Sequence, residues 1–161
     1  MQYFKFPVNK IRVVHDPVKP LFIYTQKVVH GGAPRVLMMG TGKHKNLTNL
    51  IEAVKGTEYE IDIIGWPAQD EIDNMHEYSI RYKVYNKLTD EEVYERYVAC
   101  DVLFNASFYE GFGMPIIEAQ AVGRPVITSN VGAMKEVGGG SAILVDPAKP
   151  DEIKAALLSL H

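Results

Sequence analysis

The sequence predicts an α/β domain built on an open, mostly parallel, Rossmann-like sheet with helices on both faces. Three observations carry the prediction. From residue 35 onward, short apolar runs alternate with stretches whose apolar residues recur at helical spacing. The runs within residues 35–39 and 101–105 are continuously apolar, as strands covered on both faces read, instead of alternating with polar residues. Glycines close several segments, at Gly40, Gly56, Gly65 and Gly123.

Residues 1–34 read as an irregular, linker-like segment. Residues 11–14 are its one candidate for a short strand, and Pro17, Pro20, Gly31, Gly32 and Pro34 punctuate the rest. The domain proper spans residues 35–161, and residues 35–39 are its first strand. Leu47, Leu50, Ile51 and Val54 mark the apolar face of a helix that Gly56 stops. Residues 60–64 form the next strand, residues 69–78 a weaker helix and residues 80–85 a third strand. Thr89 opens a helix with Glu92 three residues on. A hydroxyl there accepts from the third backbone N–H while the carboxylate reaches back, a pairing that marks a helix start. That helix runs to about residue 99. Residues 101–105 are a strand, residues 114–122 a helix and residues 125–128 a strand. A short helix follows Gly132, residues 142–145 are a short strand, and residues 150–160 are the last helix. That helix reaches His161 with no cap or tail, as in a piece of a longer chain. In such sheets ligands bind at the carboxyl ends of the strands, so chemistry is expected after Met39, Tyr85 and Asn105.

Length and charge exclude several classes. The 161 residues are enough for one domain with a real core. Against 17 Lys and Arg stand 20 Asp and Glu, and no basic stripe is present, so no nucleic-acid partner is expected. One cysteine, Cys100, forbids an internal disulfide framework and suits a reducing compartment. No apolar run approaches the roughly 18 residues of a membrane span, and residues 1–7 lack a signal-peptide pattern. A cytoplasmic protein is expected, touching the inner face of a membrane only through segments outside this chain.

The stretch Glu110-Gly-Phe-Gly-Met-Pro-Ile-Ile-Glu118 is the most informative. Two glycines let the backbone turn sharply and approach a ligand. Pro115 suits the first turn of a helix, where its missing N–H costs nothing. Free N–H groups around Gly113 and Met114 then form an anion site facing the strand ends. Glu118 lies about one turn into the helix and Glu110 before it, so two carboxylates flank a place for a phosphate. For a lone carboxylate, helix capping and solvation would be the better explanation; a glycine-flanked pair at a strand-to-helix turn points to hydroxyl-rich ligands.

These residues resemble the C-terminal domain of retaining GT-B glycosyltransferases of the family 4, group 1 type, whose E-x7-E motif Glu110 and Glu118 reproduce. The likeness extends, in the family's order, through Gly40-Thr-Gly-Lys-His-Lys45-Asn46-Leu47, Tyr97-Val-Ala-Cys-Asp101, Ser107-Phe-Tyr-Glu110, Glu118-Ala-Gln-Ala-Val-Gly123-Arg-Pro-Val126, Ser129-Asn130, Glu136-Val137 and Leu144-Val-Asp-Pro147. It implies one half of a GT-B fold that binds a nucleotide-sugar donor, a UDP-, GDP- or ADP-sugar. It implies that Glu118 binds the ribose hydroxyls and Glu110 the transferred sugar. The backbone of Gly111, Phe112, Gly113 and Met114 would hold sugar hydroxyls and the distal phosphate. Lys45, near Gly40, would meet the pyrophosphate, and Glu110 and Lys45 would be the catalytic pair. Many members add an arginine where this chain has Thr41; Lys43 is the candidate replacement. The base would pack around Lys87 and Leu88. The N-terminal half, which supplies the acceptor site and could reach a membrane, is expected to be missing, leaving this piece inactive by itself.

No cofactor is expected, and no metal. The sequence has no Asp-x-Asp and no His, Cys, Asp or Glu group at metal-ligand spacing. An ammonium at Lys45 and a helix N-terminus would instead stabilise charge on the leaving phosphate. Retention is implied by the resemblance, through a front-face route in which that phosphate helps deprotonate the acceptor. Competing functions are a nucleotide-sugar binding module without turnover, and an epimerase or phosphorylase of the same architecture. A response-regulator receiver is rejected, because its acidic strand ends are replaced here by Gly40, Gly65, Tyr85 and Asn86.

Other residues take plainer expectations. His15, His30, His76 and His161 have no catalytic role. Cys100 begins a strand as an inert core thiol. Trp66 and Pro67 pack at a strand end, and Phe108 and Tyr109 pack under the Glu110 loop. Glu136 caps or anchors its own helix, and residues 128–130 cap the helix after Gly132.

Overall fold

The computed structural model describes residue 10, residues 12–28 and residues 32–160. Six strands alternate with six α-helices: β1 (Arg35–Met39), α1 (Leu47–Val54), β2 (Glu60–Ile64), α2 (Gln69–Glu77), β3 (Arg81–Tyr85), α3 (Asp90–Ala99), β4 (Val102–Asn105), α4 (Met114–Val122), β5 (Val126–Ser129), α5 (Gly132–Gly138), β6 (Ile143–Val145) and α6 (Pro150–Leu158). The strands form one sheet in the order β3-β2-β1-β4-β5-β6, and every pairing is parallel. The order reverses direction between β1 and β4, which opens a crevice at their carboxyl ends.

Successive side chains on a strand point to opposite faces, so the apolar runs feed two cores. Val36, Met38, Ile61, Ile63 and Phe104 pack with Leu50 and Ile51 of α1, Met75 of α2 and Ile153 of α6. Leu37 and Leu103 face the other way, onto Tyr97 of α3, Ile116 and Ala119 of α4, and Met134 of α5. Asp62, in the middle of β2, is buried, and neither carboxylate oxygen has a hydrogen-bond partner among the described residues. Burial pushes its pKa up, against the opposing fields of Arg35, Lys83 and Arg96.

The expected helix start at Thr89 is present. Its hydroxyl accepts from the Glu92 N–H at 3.3 Å, and its own N–H donates to Glu92 Oε2 at 2.7 Å. The last helix ends at Leu158, two residues short of expectation. Residues 12–14 form no strand, and Ile11 lies outside the described residues, as do residues 1–7, His30, Gly31 and His161. Cys100 is the residue closing α3 and does not begin β4; it is buried, which pushes its thiol up to about 12. Part of the linker-like segment docks. Phe22 is buried edge-on against Tyr97, with ring centroids 5.5 Å apart. Lys27 donates to the last carbonyls of α3, Ala99 O at 2.7 Å and Cys100 O at 3.0 Å. The buried Arg124 guanidinium donates to Tyr97 O, Val98 O and Thr25 O, tying the segment to the end of α3.

Candidate functional site

The loops after β1 and β4 meet at the reversal of strand order. Gly40 turns with φ +83, and a Cβ there would stand 3.1 Å from Lys45 Cε. The Lys45 side chain therefore lies close against a left-handed turn that favours glycine. Lys45 ends a 3-10 turn, Lys43–Lys45. The buried Asn46 follows in a left-handed conformation with φ 71, and its amide donates to Ala106 O at 2.9 Å and Pro147 O at 2.7 Å. The Phe108 N–H donates to His44 O at 2.8 Å. These bonds hold the β1 loop against the β4 loop.

Across that junction Lys45 Nζ stands 2.6 Å from Glu110 Oε1, with side-chain exposures of 19% and 13%. The Ser107 hydroxyl donates to the same oxygen at 2.9 Å. Ser107 is held in turn, because its carbonyl accepts from the Ser129 hydroxyl, while Asn105 O accepts from Thr128 Oγ1 at 3.0 Å. Thr128 and Ser129 thus brace the β4 loop. They do not cap α5, whose capping residue is Val131 and lacks a side-chain cap bond.

Gly113 starts α4 with φ +100, in a space where a Cβ would meet Ile116 Cδ1 at 2.9 Å. No side-chain cap closes the first turn of α4, so its dipole faces the crevice. Beneath it the buried Asn105 Nδ2 lacks a partner among the described residues. Glu118 sits one turn into α4, its Oε2 accepting the Tyr97 hydroxyl at 2.8 Å. Burial raises the Glu118 pKa, opposed by the Tyr97 bond and the Lys19 charge and supported by Asp90.

The structure brings Lys45 and Glu110 together over Gly40, and sets the turn of Gly111, Phe112, Gly113 and Met114 beside them. It does not join the other expected residues to that group. The side chains of Lys43 and Lys87 are exposed and make no hydrogen bond or ion pair among the described residues, and Leu88 is half-buried. Thr41 serves the backbone of a neighbouring loop. Its hydroxyl donates to Trp66 O at 2.7 Å and accepts from the Trp66 N–H at 3.0 Å.

Several plainer expectations are corrected. Trp66 does not pack; it is 68% exposed. Phe108 and Tyr109 do not lie under the loop. They are exposed, and the Tyr109 ring stacks on His44 with centroids 4.8 Å apart. Glu136 does not cap its helix but reaches His15 Nε2 at 3.4 Å. Sequence reasoning missed Ser107, Tyr97, Thr41 and Asn46 as supporting residues. Asn46 carried a signal: asparagine is among the few side chains that tolerate the left-handed turn found there. A cavity of about 800 Å³ lies at the other end of the sheet, but its charges are already matched, Lys27 with Asp101 and Arg35 with Glu60. Among the described residues, no three His, Cys, Asp or Glu side chains converge as a metal site. No helix among them is long and apolar enough to cross a membrane.

Known proteins resemble the chain in the same terms. It is 43% identical over 79 residues to O-antigen chain mannosyltransferase B of Escherichia coli, a match covering 49% of this chain and 20% of that protein. The matched segment thus accounts for a fifth of that relative's length. The crystal structure of the C-terminal domain of a glycosyl transferase group 1 family protein from Francisella tularensis superposes with a TM-score of 0.69 at 24% identity, over 80% of this chain and 75% of that one. Anabaena HepE, crystallised with UDP and glucose, superposes with a TM-score of 0.70 at 20% identity, over 80% of this chain and 38% of that one. At these identities the superpositions establish the fold. The family is established by the sequence itself: the pattern of glycosyl transferases group 1 matches residues 24–161, and the chain belongs to that family.

Proposed function

We propose that this chain is the donor-binding part of a retaining, metal-independent, GT-B glycosyltransferase of the family 4 type. It would hold a nucleoside diphosphate sugar for transfer to an acceptor hydroxyl, which a separate N-terminal domain presents. The single observation that carries the proposal is the Lys45–Glu110 pair, 2.6 Å apart beside the uncapped N-terminus of α4. A cation and a helix N-terminus on one side of a crevice suit a pyrophosphate. A carboxylate on the same ammonium, with Glu118 one turn along, suits the hydroxyls of a sugar and a ribose. Breaking the anomeric bond leaves negative charge on the departing phosphate, and both the ammonium and the helix end stabilise that charge as it grows. The UDP complex of Anabaena HepE supports the donor class through a shared fold.

Calorimetry with UDP, GDP and ADP and their sugars tests the proposal. One nucleoside diphosphate should bind, and chelator should leave its affinity unchanged. A strict requirement for a divalent ion would refute the metal-independent reading, and no binding by any of the three would refute the donor assignment.

A further inference from the structure

We infer that Trp66 is a stacking surface for the nucleobase of the donor, which deepens the donor-binding proposal and rests on it. The sheet fixes its place. In the parallel register Met39 pairs with Ile64, and Ile64 with Tyr85. Thr41, Trp66 and Lys87 each lie two residues past those partners, so they stand side by side on three adjacent loops at the ligand end of the sheet. Trp66 is thus flanked on one side by the Gly40–Lys45 loop, which faces the phosphate position, and on the other by Lys87 and Leu88. Its backbone is pinned on both sides. Thr41 Oγ1 bonds its N–H and its carbonyl, and the Gly65 N–H donates to Tyr85 O at 2.8 Å. Gly65 has φ +145, and a Cβ there would meet Thr41 Cγ2 at 2.9 Å, so the β1 and β2 loops approach closely at this point. The ring nevertheless stays 68% exposed. A wide aromatic surface on a fixed backbone, held out to solvent beside a phosphate position, gains most from a flat apolar partner that arrives with the phosphates. A nucleobase is that partner.

The chain has one tryptophan, so its fluorescence reports on this residue alone. Calorimetric titrations with UDP, GDP and ADP, and with inorganic pyrophosphate, are run on the parent chain, Trp66→Ala and Trp66→Phe, and fluorescence titrations on the parent alone. The best-bound nucleoside diphosphate should quench the parent saturably, with the midpoint found by calorimetry, and pyrophosphate should not. Trp66→Ala should weaken that nucleotide by about five- to hundredfold, the range of one base–aromatic stack, and Trp66→Phe should keep most of the affinity. Pyrophosphate affinity should stay within about twofold of the parent in both variants. Equal nucleotide affinity in the parent and Trp66→Ala overturns the stacking role while leaving donor binding intact. Equal losses for nucleotide and pyrophosphate overturn it too, by showing a disturbed loop. Failure of the parent to bind any of the three nucleotides overturns both readings.

Discussion

The contact between Lys45 and Glu110 makes opposite predictions for its two members. Each side chain is mostly out of water and the charges touch, so Glu110 would compete with a phosphate for the Lys45 ammonium. Glu110→Gln removes that competitor and also an anion near the incoming one. With an anion about 6 Å away and an effective dielectric near 20, the Coulomb repulsion relieved is about 3 kcal/mol for each unit of ligand charge before screening. Solvent sharing and salt reduce this, so inorganic pyrophosphate should bind about five- to thirtyfold more tightly to Glu110→Gln than to the parent. Lys45→Ala does the reverse twice over. It deletes the cation and leaves Glu110 facing the phosphate with only Ser107 bonded to it, so pyrophosphate affinity should fall by about a hundredfold or more at low salt. A nucleoside diphosphate should follow pyrophosphate, whereas an unphosphorylated nucleoside should notice neither change. A nucleotide sugar should gain little from Glu110→Gln, because the lost carboxylate is also the proposed partner of the sugar hydroxyls. The assay is calorimetry at two salt concentrations, with urea unfolding of every variant to exclude a collapsed site. If Glu110→Gln weakens pyrophosphate as Lys45→Ala does, Glu110 assembles the site and does not compete in it, and the reasoning fails.

Two further perturbations follow. Glu118→Gln should weaken a nucleoside diphosphate by about 1–3 kcal/mol through loss of charge-assisted hydrogen bonds, and a 2′,3′-dideoxy nucleotide should then show no additional loss. Because burial raises the Glu118 pKa, the parent's affinity should fall as pH drops through the upper carboxylate range, and a flat profile matching Glu118→Gln would exclude that contact. Asp62→Asn should stabilise the chain at neutral pH by about 1–3 kcal/mol, since it removes a buried charge without a partner. The raised folded pKa of Asp62 gives stability that is present below the unfolded value and lost as pH rises through the folded one. The parent should therefore approach the variant in urea midpoint as pH falls below the carboxylate range; a gap that widens on acidification would refute it.

Element positions were legible because their signals are local. Parallel strands buried on both faces are mostly apolar, and glycine stops fall within a residue or two of the ends, so β1, β2 and α4 lie where the sequence puts them, although β2 carries Asp62 at its centre. The Thr89–Glu92 start is likewise complete within four residues. What was illegible depends on partners distant in the chain. Lys45 and Glu110 are 65 positions apart, and no periodicity says that they touch. A hydroxyl two or three positions ahead of a helix has the same composition whether it caps that helix or, like Ser129, reaches a carbonyl 22 positions back. Trp66 is exposed, and its backbone is held by Thr41, 25 positions away, a pairing that no local pattern announces. Phe22 lay in a segment without rhythm, yet it is buried because Tyr94 and Tyr97 leave a slot for its ring.

Thr41 links these observations. The resemblance places a second phosphate cation at that position, where this chain has a hydroxyl that locks the β1 loop to the β2 loop. Lys43 remains the candidate replacement, its side chain exposed and without a hydrogen bond or ion pair among the described residues. On the proposed reading, the Lys45 ammonium, shared with Glu110, and the N-terminus of α4 would face a diphosphate without an arginine at position 41. A site with so little fixed positive charge needs binding energy that is not ionic. The Thr41 clip that replaces the cation is also what holds Trp66 in place. On the two proposals together, charge given up at the phosphate would be offset by stacking area at the base. Affinity in this chain should accordingly depend less on salt, and more on the identity of the base, than it would with an arginine at position 41.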